Sequence, residues 1–242
     1  MQIQDGERID DLIIGGYKII QHPEEFCFAI DAVLLGHFAT IKTKCRVVDL
    51  GSGSGVLGFI LLHRGAQSVT GIELNPAMAE RSKRSILMND CAANFTIIEN
   101  DYKNIREFLP AESADLIIAN PPYRRANSGL LSRKSGVAMA KHELTADYRD
   151  VIDAAEYLLP TGGILCLSHL PERLPEIISY LRANGFEPKR LRLVHPGKAK
   201  NANIVLVESR LGAKPGLTVE PPLIIYEPDG NYSTEIKEYY KN

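Results

Sequence analysis

The feature that most constrains this fold is a short apolar strand that runs directly into a glycine-rich loop and then into a helix. Residues 46–50 are Arg-Val-Val-Asp-Leu, residues 51–55 are Gly-Ser-Gly-Ser-Gly, and residues 56–62 continue with apolar side chains at helical spacing. This order is typical of a nucleotide-binding turn, because glycines let the backbone approach a ligand and accept unusual φ angles. The spacing G-x-G-x-G differs from both the dinucleotide fingerprint and the P-loop.

The three strands predicted after this loop end in the polar residues Glu73, Asp101 and Asn120. Since the carboxyl ends of parallel strands line one crevice, these residues are expected to meet Asp49 and the glycine loop. Glu73 lies about twenty residues beyond the loop, where a carboxylate can accept from both ribose hydroxyls, and Asp101 is placed to accept from an adenine amino group. The residues predicted to bind a nucleotide cofactor are Asp49, Gly51, Ser52, Gly53, Gly55, Glu73, Asp101, Tyr102 and Asn120.

Asn120 also opens the tetrapeptide Asn120-Pro121-Pro122-Tyr123. The Asn120 side chain offers a carbonyl acceptor. The two prolines cannot donate a hydrogen bond and hold φ fixed, so their backbone carbonyls are preset as acceptors. Tyr123 offers a face for stacking. Together these groups suit the binding of a planar group that bears an amine, although a plain turn is the alternative explanation.

Residues 49–55, together with Glu73, Asp101 and the Asn-Pro-Pro-Tyr motif, resemble the S-adenosylmethionine-dependent methyltransferase family. The motif resembles the branch of that family that methylates amino nitrogens, chiefly adenine N6 or a glutamine amide. The further segments that are similar to the bacterial valine-tRNA adenine-N6 methyltransferases are residues 26–36, 201–208 and 214–226.

This resemblance implies an α/β protein with a Rossmann-like class I methyltransferase fold, in which a seven-stranded, mostly parallel sheet has helices on both faces. A terminal antiparallel strand pair is expected from the chain itself, since the predicted strands 190–194 and 203–208 are joined by a short polar loop. Residues 1–242 are expected to form a single methyltransferase domain. Residues 1–45 would be an N-terminal extension and helix that pack on the cofactor side, with residues 1–20 extended and the helix over residues 24–40. A further helix is predicted over residues 77–91, with Pro76 at its first position. A long loop over residues 124–141 and a helix over residues 143–159 are predicted after the motif.

The implied reaction is S-adenosylmethionine-dependent N6-methylation of an adenine in tRNA, in the anticodon loop of a valine tRNA. The catalytic residues would be Asn120, Pro121, Pro122 and Tyr123. One alternative is N5-methylation of a glutamine in a release-factor-type protein, but such enzymes usually carry an additional helical domain, for which the chain before Asp49 is short. DNA adenine methylation is a second alternative, and no segment is long enough for a target-recognition region. A non-catalytic nucleotide-binding or RNA-binding module is a third, against which the intact motif argues.

Basic residues follow the motif directly. The formal net charge of −2 does not by itself suggest a nucleic-acid partner. Between residues 121 and 142, however, the chain has arginines and lysines and no acid. A solvated loop is one explanation, and phosphate binding is the other. The residues predicted to bind the tRNA substrate are Arg124, Arg125, Arg133 and Lys134. A second basic run, residues 189–200, is predicted to reach a more distant part of the RNA.

The remaining expectations come from composition. No apolar run approaches the roughly 18 residues of a membrane span, and the first residues lack the basic and apolar regions of a secretory signal. The four cysteines are scattered and the six histidines show no ligand spacing, so no metal is expected. The scattered cysteines fit a reducing cytosol, so a cytoplasmic protein is expected, and it is expected to be a monomer. The resemblance implies S-adenosylmethionine as its cofactor and tRNA as its partner.

Overall fold

The computed structural model describes residues 3–25, 27–121 and 148–241, and all elements below belong to these residues. The strands are β1 (Arg8–Asp11), β2 (Lys18–Gln21), β3 (Arg46–Leu50), β4 (Ser68–Glu73), β5 (Phe95–Glu99), β6 (Leu116–Ala119), β7 (Ile164–His169), β8 (Phe186–Gly197), β9 (Ile204–Leu211), β10 (Thr218–Val219) and β11 (Leu223–Tyr226). The helices are α1 (Ile30–Phe38), α2 (Val56–His63), α3 (Pro76–Met88), α4 (Tyr148–Leu158), α5 (Leu174–Ala183) and α6 (Thr234–Tyr239). Short 3-10 turns are Ile14–Gly16, Tyr102–Glu107 and Pro171–Arg173.

The main sheet contains the strand order β5-β4-β3-β6-β7-β9-β8. The strands from β5 to β7 are parallel to their neighbours. β9 is antiparallel to both β7 and β8. The predicted α/β fold with a mostly parallel sheet and a terminal antiparallel pair is therefore confirmed, and the pair is β8 and β9.

The number of strands differs from the prediction, because the described part of this sheet has nine strands rather than seven. The two further strands, β10 and β11, run parallel to β8 along its outer edge, for example with Val219 beside Leu191. They are short, and Pro221 and Pro222 lie between them. A proline cannot donate a hydrogen bond to a neighbouring strand, so two prolines in a row argue against a strand in the sequence.

Helices cover both faces of the sheet, as predicted. On one face, Ile118 of β6 lies in a core cluster with Leu34 of α1 and Ile60 of α2. On the other face, the neighbouring Ile117 lies in a cluster with Ile152 of α4. Successive side chains of a strand point to opposite faces, so a strand that is buried on both sides is apolar throughout.

The N-terminal region differs in detail from its prediction. β1 and β2 form an antiparallel hairpin where an extended lead-in is predicted. The helix predicted from Glu24 begins only at Ile30. The preceding backbone is held by a side chain instead, since the Gln21 Oε1 accepts a hydrogen bond from the Phe28 N–H at 2.9 Å. β2 then packs against α3, and α1 packs against α2.

Two predicted elements lie wholly or partly outside the described residues. The long loop predicted for residues 124–141 is one of them. The helix predicted for residues 143–159 is the other, and the structure describes it from Tyr148 onward as α4.

Candidate active site

The carboxyl ends of the parallel strands lie side by side along one edge of the main sheet. In register, Asp49 on β3 lies between Gly71 on β4 and Ile118 on β6. Glu73 closes β4 and Asn120 follows β6, so the same edge receives the side chains that were predicted from strand ends. The predicted site residues that the structure places along this edge are Asp49, Gly51, Ser52, Gly53, Gly55, Glu73, Asp101, Tyr102, Asn120 and Pro121.

Asp49 is a fully buried carboxyl group in this edge. No described residue donates a hydrogen bond of normal geometry to either of its oxygens. Burial raises the pKa of Asp49 to about 7; the Ser52 hydroxyl opposes this rise, and the negative charge of Glu73 adds to it. A buried acceptor without donors is costly for a fold. The arrangement therefore suits a ligand that brings hydrogen-bond donors or positive charge.

The glycine loop has the backbone form that its sequence predicts. Gly51, Gly53 and Gly55 have φ angles of 76°, 56° and 80°, in the region that favours glycine. A Cβ atom on Gly51 would meet no atom within 4 Å, and one on Gly53 would meet only the Met78 methyl group at 3.4 Å. A Cβ atom on Gly55 would instead lie 2.5 Å from the Ser82 Oγ. The first two glycines therefore leave open space beside the backbone, and the third permits close packing on α3.

Glu73 holds this loop in place. Its Oε2 accepts a hydrogen bond from the Gly53 N–H at 2.6 Å, and its Oε1 accepts one from the Asn75 N–H at 2.8 Å. Asn75 in turn caps α3, because its Oδ1 accepts from the Ala77 N–H at 2.9 Å. A carboxylate can accept about four hydrogen bonds, so these contacts orient Glu73 without excluding a ligand hydroxyl.

Asp101 and Tyr102 lie after β5, at one end of this edge. The Asn100 N–H donates to the Glu73 backbone carbonyl at 3.0 Å, which places Asp101 beside the end of β4. The Asp101 Oδ1 caps the following 3-10 turn by accepting from the Lys103 N–H at 2.9 Å. Tyr102 is buried in the core cluster that α4 covers. Asp101 thus has a capping role that its sequence position alone does not indicate.

Asn120 lies directly after β6, and the next residue, Pro121, is buried. At the end of the adjacent β7, the Ser168 hydroxyl donates a hydrogen bond to the Asn120 Oδ1. Ser168 has no exposed surface. It is absent from the predicted set of site residues, although it is a polar residue at the end of a buried strand. The signal that identified Glu73 and Asn120 therefore applies to Ser168 as well.

The other predicted site residues lie outside the described part of the chain. They are Pro122, Tyr123, Arg124, Arg125, Arg133 and Lys134.

In the second basic run, residues 189–200, two arginines form ion pairs within the fold. The Arg190 guanidinium lies 3.0 Å from the Glu208 carboxylate and 2.7 Å from that of Glu220. Arg192 lies 2.6 Å from the Glu235 carboxylate. These arginines are neutralised within the fold, because β9 and the C-terminal segment bring acids from distant parts of the sequence. The predicted contact of this run with a distant part of the RNA stays a prediction.

Residues 3–25, 27–121 and 148–241 contain no helix whose length and apolar character would let it cross a bilayer. The same residues contain no group of three or more His, Cys, Asp or Glu side chains arranged to hold a metal ion.

Known proteins match this chain along most of its length. Residues 17–167 match the family model of the methyltransferase small domain. A tRNA1(Val) (adenine(37)-N6)-methyltransferase of Tolumonas auensis is 30% identical over 207 residues, which are 85% of this chain and 84% of that protein. An enzyme of the same name from a Flavobacteriaceae bacterium is 26% identical over 223 residues, which are 92% and 85%. The crystal structure of a predicted O-methyltransferase, protein Atu636 from Agrobacterium tumefaciens, is 28% identical, has a TM-score of 0.69, and is matched over 87% of this chain and 95% of that one.

The family match includes the predicted parts of the candidate site that the structure describes. It contains the buried carboxyl group of Asp49, the glycine loop, the acidic ends of the next two strands and Asn120. These parts lie at one edge of a parallel sheet, where a class I methyltransferase fold places its site. This chain therefore belongs to the methyltransferase small domain family.

Proposed function

We propose that this chain is an enzyme that methylates N6 of an adenine in tRNA, with S-adenosylmethionine as methyl donor. Membership of a methyltransferase family supports the reaction. The names of the two relatives supply the substrate, adenine 37 of tRNA1(Val), and this chain matches most of their length. The observation that carries the proposal is the position of Asn120. It opens the Asn-Pro-Pro-Tyr motif directly after β6, at the edge where Asp49 and the glycine loop lie.

The described residues fit S-adenosylmethionine. When bound, this cofactor supplies a methyl group on a positively charged sulfur, which makes the methyl carbon electrophilic. Asp49 offers a buried carboxyl group whose oxygens have no described hydrogen-bond donor. Gly51 and Gly53 leave space for a ligand against the backbone. Glu73 would accept from the ribose hydroxyls and Asp101 from the adenine amino group.

Asn120 and Pro121 would bind the amine that is methylated. The lone pair of an exocyclic amine is delocalised into its ring, so the amine must be turned for in-line displacement. The Asn120 side-chain oxygen and the Pro121 backbone carbonyl would each accept one amine hydrogen and turn the lone pair toward the methyl group. These hydrogen bonds strengthen as the nitrogen becomes positive, so they favour the transition state over the ground state. Pro122 would fix the loop, and Tyr123 would stack on the base.

The basic residues after the motif would hold the RNA. A base within a folded tRNA must be splayed out of its stack to reach a pocket, which favours loop nucleotides. The residues that would contact the neighbouring phosphates are Arg124, Arg125, Arg133 and Lys134. Because each phosphate contact releases counterions, tRNA binding should weaken as the salt concentration rises.

The unit proposed for this reaction is a single methyltransferase domain of residues 1–242, acting as a cytoplasmic monomer without a metal. Residues 1–45 would pack on the cofactor side. This is supported by the packing of β2 on α3 and of α1 on α2, since α2 and α3 follow the two strands whose ends carry Asp49 and Glu73.

The experiment that tests this function is methyl incorporation from labelled S-adenosylmethionine into two acceptors. One is tRNA transcribed without modifications, and the other is a protein with a Gly-Gly-Gln motif. We expect N6-methyladenosine in the tRNA and no label in the protein. Label in the protein and none in the tRNA would overturn the RNA substrate in favour of glutamine.

Asn120→Ala tests the residue on which the proposed function depends. The barrier to methyl transfer should rise by about 2–4 kcal/mol, the usual effect of one hydrogen bond made in the transition state, while calorimetric affinity for S-adenosylmethionine changes little. Asn94→Ala is the matched control, because Asn94 is exposed and precedes β5 at the opposite edge of the sheet. Normal turnover of Asn120→Ala would show that the catalytic assignment is wrong.

A further inference from the structure

We propose that Ser168 is a positioning residue for methyl transfer, and that its hydroxyl holds the plane of the Asn120 carboxamide in the orientation that receives the substrate amine. This inference rests on the proposed function, since it assigns Ser168 a role through Asn120. Nothing in the family match singles out this serine, which lies one residue beyond the matched range of 17–167.

The sheet register places the two side chains together. β6 and β7 are parallel, and Ala119 lies beside Leu167. One residue further along each strand, Asn120 comes to lie beside Ser168, and the Ser168 hydroxyl donates to the Asn120 Oδ1. Because side chains alternate along a strand, both belong to the face of the sheet on which Ile118 lies.

The position of Ser168 is built for a hydrogen bond rather than for packing. The four residues of β7 before it, Ile164 to Leu167, are all apolar and buried. Ser168 itself is fully buried. An alanine would fill nearly the same volume, and a buried hydroxyl costs free energy unless it is hydrogen-bonded. The contact with Asn120 offsets that cost.

Asn120 needs such a partner because its own torsion is soft. The terminal torsion of an asparagine side chain is broad and roughly two-fold, so the carboxamide plane is weakly set by local geometry. A carbonyl oxygen has two acceptor sites. With Ser168 donating to it, the oxygen keeps a defined direction toward the amine. A carboxamide that rotates would present its NH₂ group to the amine, and two donors would then face each other.

Ser168→Ala should therefore lower kcat and change little else. We expect kcat to fall between about tenfold and a hundredfold, the range that a small misplacement of a catalytic group produces. The KM for tRNA and the calorimetric Kd for S-adenosylmethionine should stay within about twofold. Ser209→Ala is the matched control, because Ser209 is an equally buried serine of the neighbouring β9 that lies beside Leu165, away from the carboxyl edge. Its kcat should be unchanged.

A double-mutant cycle separates positioning from a purely structural effect. If Ser168 acts through Asn120, Ser168→Ala should lower kcat in the wild type and have no further effect in Asn120→Ala. An equal loss in both backgrounds, or no loss in the wild type, would overturn the proposal. Should Ser168→Ala fold poorly, Ser168→Cys keeps the size with a weak donor and should lose kcat to a similar degree.

The cycle also distinguishes failure of this inference from failure of the proposed function. Activity on the Gly-Gly-Gln protein instead of tRNA would reject the RNA substrate. The cycle is then measured with that acceptor, because its amide nitrogen would use the same Asn120. Full activity of Asn120→Ala on either acceptor would reject the catalytic role of Asn120 and the positioning role of Ser168 together.

Discussion

At the scale of single residues, the buried carboxyl group of Asp49 gives the free protein a measurable pH dependence. Its pKa is raised by burial from the ordinary value of 3.8 to about 7. Between these values the folded chain binds more protons than the unfolded chain, so the free energy of unfolding falls as the pH rises. Above pH 7 the buried carboxylate is ionised, and the whole of this destabilisation is present. Asp49→Asn removes this ionisation, which lowers the free energy of unfolding by at most about 4 kcal/mol. It should stabilise the cofactor-free protein at pH 8 and hardly at pH 4, as measured by urea unfolding.

Asp115→Asn is the control with the opposite sign. Hydrogen bonding to Arg46 holds the pKa of Asp115 below its usual value. A depressed pKa contributes stability above the pKa of the unfolded state, and that stability is lost as the pH falls. Asp115→Asn should therefore lower the free energy of unfolding at pH 8. A shift of both variants in the same direction at pH 8, or an Asp49→Asn effect that does not depend on pH, would contradict this explanation.

Residues of the site differ in how far the sequence could predict them. Asp49, Glu73 and Asn120 could be placed because each lies at or beside the carboxyl end of a strand that is recognisable from its own apolar residues. Ser168 carries the same local signal, but its importance lies in a partner on another strand, and only the register of β6 and β7 brings the two together. The ion pairs of Arg190 could not be predicted either, because the acids that form them lie far away in the sequence.

At the scale of elements, the packing of α2 on the sheet depends on Gly58. A Cβ atom on Gly58 would lie 2.1 Å from the Phe95 Cζ. Phe95 is buried and its ring packs edge-on against Phe59, with centroids 5.2 Å apart, so it has little room to move. Glycine to alanine inside a helix is otherwise favourable by about 1 kcal/mol.

Gly58→Ala should instead lower the free energy of unfolding. Overpacking of a core costs about 1–3 kcal/mol, and a clash this short lies at the upper end. We therefore expect a net loss of about 2 kcal/mol in the free energy of unfolding, measured with urea. In the double variant Gly58→Ala/Phe95→Leu the smaller side chain makes room, and the loss relative to Phe95→Leu alone should vanish. A stabilised Gly58→Ala would show that the helix can shift away from the ring.

The boundaries of helices and strands could be predicted where neighbouring residues set them. The predictions were wrong where a contact with a distant residue sets the boundary. α3 begins at Pro76, as predicted, because the proline suits a first helical position and Asn75 caps it. α1 begins later than predicted, since the Gln21 side chain holds the Phe28 backbone in a non-helical path. β10 and β11 pair with the outer edge of the long strand β8. β10 has only two residues and no strand pattern of its own, whereas residues 223–226 of β11 form a short apolar run.

At the scale of the whole molecule, Arg190 joins three parts of the chain. Its Nη1 donates to the carbonyl of Phe38, the last residue of α1, at 3.0 Å and to the Glu208 carboxylate of β9 at 3.0 Å. Its Nε donates to Glu220 in the C-terminal segment at 2.7 Å. Glu208 is only 1% exposed, and its other described contacts are with Thr40. The resemblance predicted a mostly parallel sheet with helices on both faces, but not this link between a covering helix and the outer edge of the sheet.

Arg190→Met should therefore destabilise the whole fold. It leaves the Glu208 carboxylate buried without its cation, which costs about 3 kcal/mol when one partner of a buried pair is removed. Replacing both charges by apolar side chains, in Arg190→Met/Glu208→Leu, should recover most of this loss, because a buried ion pair is often no more stable than a packed apolar pair. The measurement is the free energy of unfolding of the wild type, both single variants and the double variant in urea. Additive losses in the double variant would mean that Arg190 and Glu208 stabilise the fold independently, and that the tail is held to the sheet by other contacts.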